Sequence, residues 1–333
     1  LLLEKGYDVI GIVRRSASDN QTRIEDLKNH KSFKIVSGDI TDASFMAELI
    51  STYKPDEFYN LAAQSFVGYS FANPVSTFDV NALAVVVILE AIEKFSPKTK
   101  FYQASSSEIY GGFADTAPQN ELTAFKPQSP YGVAKLAAHG MVRLARDRGV
   151  FACAGILFNH ESELRGSEFV TQKICEQAVE VAMKKRQYIE LGWLGSQRDW
   201  GYAPEYVEGM WRMLQQPIAD DYVLATGETY TVEDWLTWVC QQLDLPLWIE
   251  GRQIVGNDES VLLIDPKFMR PNEVKLLKGD ATKAKQVLGW EAEIKGKNLA
   301  MLMLGHAMQR SGSHTFLQRG MELINSTLEA VRQ

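Results

Sequence analysis

Cysteine is scarce: three in 333 residues, Cys153, Cys175 and Cys240, each in an apolar or helical pattern and none in a C-x-x-C spacing. That excludes a disulfide framework and a zinc or redox motif and leaves buried free thiols. Runs of lysine and arginine are missing too. A net charge of -7 argues against a nucleic-acid partner and against an anionic membrane surface. No uninterrupted apolar stretch reaches the length of about 18 residues that a spanning helix needs, and no basic start precedes an apolar core. Neither a membrane span nor a signal peptide is therefore expected, and the expectation is a cytoplasmic protein. Internal repeats and low-complexity linkers are absent as well, which excludes solenoid architectures.

What is present is enough apolar sequence, 45% over the full length, for one large α/β domain or two joined lobes. Leu1 to Lys5 read as the last turn of an amphipathic helix that Gly6 stops, with Tyr7 to Val13 a buried strand. Short strands follow at Phe33 to Val36, Glu57 to Leu61, Lys100 to Ala104 and Phe151 to Leu157. Helical patterns alternate with them at Ala43 to Tyr53, Asn81 to Phe95 and Pro130 to Arg148. This alternation predicts a doubly wound parallel sheet over residues 1–160. Beyond it the regularity weakens and Gly, Trp and Pro become frequent. Residues 161–333 are expected to form mainly a smaller substrate-binding lobe, some of whose segments return to the first domain.

The chemistry concentrates between Phe101 and Lys135. A strand ends in Ser105, Ser106, Ser107 and Glu108, and a parallel sheet delivers such a strand end to its ligand crevice. Ser129 and Pro130 read as an N-cap and first helical position, which puts Tyr131 and Lys135 on one helix face. A phenol is a poor base at neutral pH, but a nearby ammonium stabilises phenolate and a serine hydroxyl can hold the substrate oxygen. Glu108 alone would read as a solvated loop residue. Two places after Ser106 and upstream of Tyr-x-x-x-Lys, it reads as an acid/base group.

Other segments bear on a dinucleotide. After Val13 come Arg14, Arg15 and Ser16, where a fold favouring NAD would offer a carboxylate to the ribose. Arginines there suit the 2′-phosphate of NADP; the alternative is a solvated pair. Leu61, Ala62, Ala63, Gln64 and Ser65 follow a strand, and their small side chains would let a cofactor backbone lie close to the sheet.

ASSSEIYG together with SPYGVAK resembles the extended short-chain dehydrogenase/reductases, and within them the GDP-mannose 4,6-dehydratase family. The resemblance covers nearly the whole chain and implies a Rossmann-like fold, NADP as cofactor, GDP-mannose as substrate and a homodimer or homotetramer. It also implies that Ser106, Glu108 and Tyr131 act at C4, C5 and C6 of the hexose, while Lys135 holds Tyr131 and the nicotinamide ribose. By the same resemblance Asp39 and Ile40 meet the adenine, and the LAAQS segment lines the cofactor and brings Ser65 to the substrate. NHES at Asn159 to Ser162 brings His160 and Arg165 to the cofactor and Asn159 to the substrate. Lys173 and Arg198 face the diphosphate, Arg270 meets phosphate or ribose, and Glu273 accepts two hydrogen bonds from guanine.

Departures from the family pattern are specific. Serine stands at 106 where threonine is commoner, Ser76 replaces a tyrosine, and Glu163 and Leu164 replace a Pro-Arg pair. The family's glycine-rich phosphate turn does not occur here, and a sequence beginning downstream of that turn is the expectation. A nucleotide-sugar reductase, epimerase or decarboxylase, or a non-catalytic nucleotide-sugar binder, are the competing readings.

Overall fold

A computed structural model describes residues 1–15, 21–247, 261–269 and 272–332. The chain enters through one helical turn, Lys5 N–H to Leu1 O, closed by Gly6 N–H to Leu3 O and Tyr7 N–H to Leu2 O. Gly6 sits at φ +84°, the left-handed stop that a residue without Cβ supplies. The strand β1 (Val9–Val13) then pairs in parallel with β2 (Phe33–Ser37).

Two compact units divide the chain: Leu1–Ile109, Phe125–Ile156 and Val207–Tyr222 form the first, and Tyr110–Ala124, Leu157–Tyr206 and Val223–Gln333 the second. Unit 1 alternates α1 (Ala43–Tyr53), β3 (Glu57–Asn60), α2 (Val67–Ala72), α3 (Pro74–Phe78), α4 (Ala84–Phe95), β4 (Lys100–Ala104), α5 (Pro130–Asp147) and β5 (Ala152–Leu157). β3, β4 and β5 are parallel neighbours, with Glu57 opposite Lys100 and Phe101 opposite Ala152. β5 is buried at every position, as a strand covered on both faces must be. The Asp42 carboxylate accepts from Ser44 and Phe45 N–H to start α1. Met46, Leu49 and Ile50 of that helix then join Val85, Ile88, Leu89 and Ile92 of α4 in the unit's core.

One boundary differs from the sequence reading. The helix expected to open at Asn81 begins at Pro74, because a single π turn over Asp79–Leu83 links α3 to α4 without breaking the rod. The resulting 22-residue helix, Pro74–Phe95, is long and apolar enough to cross a membrane by length and composition, and half of the qualifying window is buried. The expectation that no such stretch exists is thereby corrected. Asn81, which reads as a helix start in the sequence, lies inside the helix.

Unit 2 begins its regular structure with β6 (Asn159–Glu161), α6 (Val170–Ala182), β7 (Ile189–Leu191), β8 (Gln197–Arg198) and β9 (Trp200–Tyr202). Most of α7 (Ala203–Leu214) and the start of β10 (Asp221–Leu224) belong to the unit 1 segment Val207–Tyr222, and the four-stranded sheet runs β10-β5-β4-β3. β11 (Tyr230–Thr231), α8 (Val232–Gln242), β12 (Leu262–Ile264), α9 (Gly296–Arg310) and α10 (His314–Arg332) complete the chain. Its core gathers Ile174 and Cys175 of α6, Trp235 and Val239 of α8 and the buried Leu299 to Leu304 of α9. Asp199, at the junction of β8 and β9, fastens four donors from three loop residues. Its oxygens accept from Thr226 N–H and Oγ1, Gly227 N–H and Gly279 N–H at 2.7–3.2 Å.

Candidate active site

Polar residues rarely bury themselves in a row, yet Ser105, Ser106, Ser107 and Glu108 all do so at the C-terminal end of β4. The chain turns there into a short 3-10 helix, Ser107–Tyr110, and Ser106 Oγ accepts the Glu108 N–H at 3.3 Å. Against this turn lies the start of α5. The Ser129 hydroxyl caps the helix by accepting Gly132 N–H at 3.0 Å, with Pro130 in the first turn. A Cβ on Gly132 would sit 2.9 Å from the Glu108 carbonyl oxygen and 3.0 Å from Pro127 Cβ. Only glycine admits so close an approach, and sequence reasoning passed over it.

One turn further on, Lys135 Nζ donates to Ala104 O at 2.9 Å, the last carbonyl of β4. The ammonium lies 5.8 Å from the centroid of the Tyr131 ring. Burial pushes the Lys135 pKa down to about 8, desolvation disfavouring the charged ammonium. Tyr131 is likewise buried. The helix face carrying phenol and ammonium is thus seated on the strand end carrying the serines and the carboxyl, all within unit 1. Hydroxyl, carboxyl, phenol and ammonium in one such place can shuttle protons on and off an alcohol and an adjacent carbon acid.

The dinucleotide segments also belong to unit 1. Arg14 and Arg15 are exposed just beyond β1, and Ser16 lies outside the described residues. Asp39 accepts Thr41 N–H at 3.0 Å and Thr41 Oγ1 at 2.8 Å. The Thr41 N–H chiefly holds the Asp39 carboxyl below its usual range, the charge of Arg14 contributing. Ile40 turns into the core. Leu61, Ala62 and Ser65 are exposed after β3, with Ala63 half-buried.

Gln64 is clamped by Asn81, which accepts its N–H at 2.8 Å and donates to its carbonyl at 2.9 Å. The Gln64 Oε1 is buried without a hydrogen-bond partner among the described residues. A small-residue ledge with one unsatisfied acceptor, and two arginines just beyond β1 in the same unit, fit a dinucleotide: they offer room, an acceptor for a ligand donor and charge for phosphate. Asn81 was missed as a member of this arrangement; a buried polar residue inside an otherwise apolar helix was its signal.

The remaining predicted residues sit in unit 2. Asn159 and His160 lie on β6, and His160 Nδ1 pairs with Phe158 O at 2.9 Å while its ring stacks on Tyr206. Arg165 lies 3.1 Å from Glu161 and over the Phe169 ring. Lys173, in the first turn of α6, places Nζ 3.2 Å from the Phe268 ring centroid. Burial lowers its pKa and Glu190 opposes that. Arg198 is buried, donating to Val274 O at 2.7 Å and lying 3.4 Å from Glu273 Oε1. Glu273 also accepts Ser196 Oγ at 2.8 Å, so within this unit it pairs with Arg198 and Ser196. Arg270 lies outside the described residues.

A family model described as GDP-mannose 4,6 dehydratase matches residues 1–303. The chain belongs to the GDP-mannose 4,6-dehydratase family. A relative of that name from Sinorhizobium fredii (strain HH103) is 45% identical over 318 residues, covering 91% of this chain and 90% of the relative. GDP-mannose 4,6 dehydratase 2 of Caenorhabditis elegans is 44% identical over 309 residues, covering 88% and 81%. Among solved structures, dTDP-glucose 4,6-dehydratase from Bacillus anthracis in complex with NAD superposes with a TM-score of 0.77. It is 18% identical and covers 93% of this chain and 91% of its own, which shows the shared fold. The doubly wound α/β expectation is therefore borne out, and the family inferred from ASSSEIYG and SPYGVAK is the family found.

Proposed function

We propose that the protein converts GDP-mannose to GDP-4-keto-6-deoxymannose as an NADP-dependent hydro-lyase, and that it does so with Ser106, Glu108, Tyr131 and Lys135. Tyr131, its phenolate favoured by the Lys135 ammonium, takes the proton of the C4 hydroxyl while Ser106 holds that oxygen. The nicotinamide cofactor, when bound, supplies reversible hydride acceptance, first from C4 and finally back to C6. A C4 ketone acidifies the C5 proton. Glu108 removes that proton and delivers one to the departing C6 oxygen, so that water leaves and a C5=C6 double bond forms. Tyr131 then returns a proton as the sugar is reduced at C6, and no net redox change remains.

The joint burial of these four side chains where α5 meets the end of β4 carries this assignment. The two cations Arg14 and Arg15 at the end of β1 support NADP over NAD. In unit 2 we assign Asn159, Lys173, Arg198, Arg270 and Glu273 to the nucleotide diphosphate and base. The same proposal puts the enzyme in the cytoplasm and in a homodimer or homotetramer, closed symmetric assemblies being the commonest among soluble oligomers.

The test is a product assay. GDP-mannose with catalytic NADP should yield the 4-keto-6-deoxy sugar with no net change in nicotinamide absorbance. A stoichiometric appearance of NADPH, or recovery of a C4 epimer, refutes dehydration. Light scattering of the purified protein reads the assembly.

A further inference from the structure

Behind the proposed catalytic groups, on the same helix, stands a histidine that the mechanism does not use. His139 lies one turn beyond Lys135 and two beyond Tyr131, and it is buried. Its Nδ1 lies 3.2 Å from Ser105 Oγ. Its Nε2 lies 3.6 Å from Asp221 Oδ2, too far for a hydrogen bond but close enough for the carboxylate to favour a proton on that nitrogen. Asp221 is itself fixed, by the Arg146 guanidinium and by the Ala154 N–H at 3.3 Å. Phe125 packs edge-on to the imidazole, 5.3 Å between ring centroids.

Ser105 stands between the two residues that matter most at this strand end. Before it, Ala104 gives its carbonyl to Lys135; after it comes Ser106. The Ser105 backbone N–H is already engaged with Gly155 O at 2.9 Å, and its hydroxyl is the point at which α5 reaches it, through His139.

We infer that His139 is a positioning residue: with its Nε2 proton directed at Asp221, its Nδ1 accepts the Ser105 hydroxyl proton and so fixes the backbone that carries Ala104 and Ser106. In this arrangement α5 holds the strand end twice, by Lys135 on Ala104 and by His139 on Ser105. Burial lowers the His139 pKa, with Asp221 opposing and Arg146 and Arg143 reinforcing, which keeps the imidazole neutral and Nδ1 free to accept. The inference rests on the proposed role of Ser106 and Lys135.

The test uses the full chain with S105A, H139L, H139N and H139Q, and the double variant S105A/H139L. A displacement of about 1 Å at a reacting group costs about 10²-fold; release of one of two anchors should cost about tenfold in kcat with KM nearly unchanged. An asparagine oxygen reaches the place of Nδ1 and a glutamine amide that of Nε2, so H139N should recover most of the loss and H139Q little. Helix propensity orders these two substitutions the other way, so a merely structural role predicts the opposite ranking. The double variant should be no worse than its single parents. Full activity in H139L, equal losses in H139N and H139Q, or additive losses in the double variant each overturn the inference.

Histidine 15N spectra of the wild-type protein give a readout free of substrate. They should show His139 as the Nε2–H tautomer with an Nδ1 signal that moves in S105A. An Nδ1–H tautomer, or a signal indifferent to S105A, overturns the positioning role even if the wild-type enzyme makes no dehydration product, a result that would separately refute the proposed function.

Discussion

Gly132→Ala perturbs the site without touching a reacting group. The new methyl would stand 2.9 Å from the Glu108 carbonyl oxygen and 3.0 Å from Pro127 Cβ. Ordinary contact begins near 3.4 Å, so the start of α5 and the Glu108 turn must separate by about 0.5 Å, and neither the Glu108 backbone carbonyl nor the Pro127 Cβ, fixed in its ring, can swing aside as a flexible side-chain tip would. With about 10²-fold lost per 1 Å of misplacement, kcat should fall about tenfold. Crowding of this kind costs about 1–3 kcal/mol, while alanine in place of helical glycine returns about 1 kcal/mol. The net loss of stability should therefore be about 1 kcal/mol.

Gly140→Ala is the matched control, since it lies on the same helix and its Cβ would meet nothing within 4 Å. It should gain about 1 kcal/mol and leave kcat unchanged. Thermal unfolding should move the two variants in opposite directions, and product formation from GDP-mannose should separate them tenfold. A G132A protein as stable and as active as G140A refutes the close seating of α5 on Glu108.

Three further outcomes follow from the same geometry. Glu108→Gln should leave C4 oxidation detectable as a transient rise in nicotinamide absorbance while abolishing release of water, whereas Tyr131→Phe should stop both; unchanged dehydration in E108Q removes that carboxyl from the mechanism. Lys135, with its pKa pushed down to about 8 by burial, should impose a loss of kcat/KM above about pH 8 in the free enzyme. Its folded pKa lies below the reference 10.5, so the unfolded chain binds the extra proton between those values and this group's contribution to stability rises with pH there. Denaturation midpoints across that window should show the rise in wild type and lose it in K135M. Asp199→Asn should destabilise unit 2 by about 2–4 kcal/mol, because an amide cannot accept at both oxygen positions and leaves Gly227 and Gly279 N–H facing a donor; a midpoint in urea within error of wild type refutes the anchoring role.

Much of the fold was legible because its signals are local. Short runs of apolar and small residues mark β4 and β5, the Ser129-Pro130 pair marks the start of α5, and Gly6 marks a helix end, each through a local preference that needs no distant partner. The site was legible for a related reason: a strand end and a helix start are the two places where an α/β sheet exposes side chains for chemistry. What escaped depends on partners far apart in sequence. Asn81 looked like a helix start, since nothing nearby shows that its amide is occupied with Gln64 across 17 residues. Gly132 drew no notice in the sequence, since only the folded chain brings the Glu108 carbonyl against it.

His139 differs from both, because its meaning changes with one long-range contact. As a lone histidine on an amphipathic helix it reads as a packed side chain, and Asp221, 82 places later, is what orients its proton toward one nitrogen and leaves the other to Ser105. The four groups proposed to act on the sugar come from two stretches of sequence less than forty residues apart, and for that reason they can be read from it. The groups that steady them draw on β5 and β10, through Gly155 and Asp221, and they become visible only when the chain is folded.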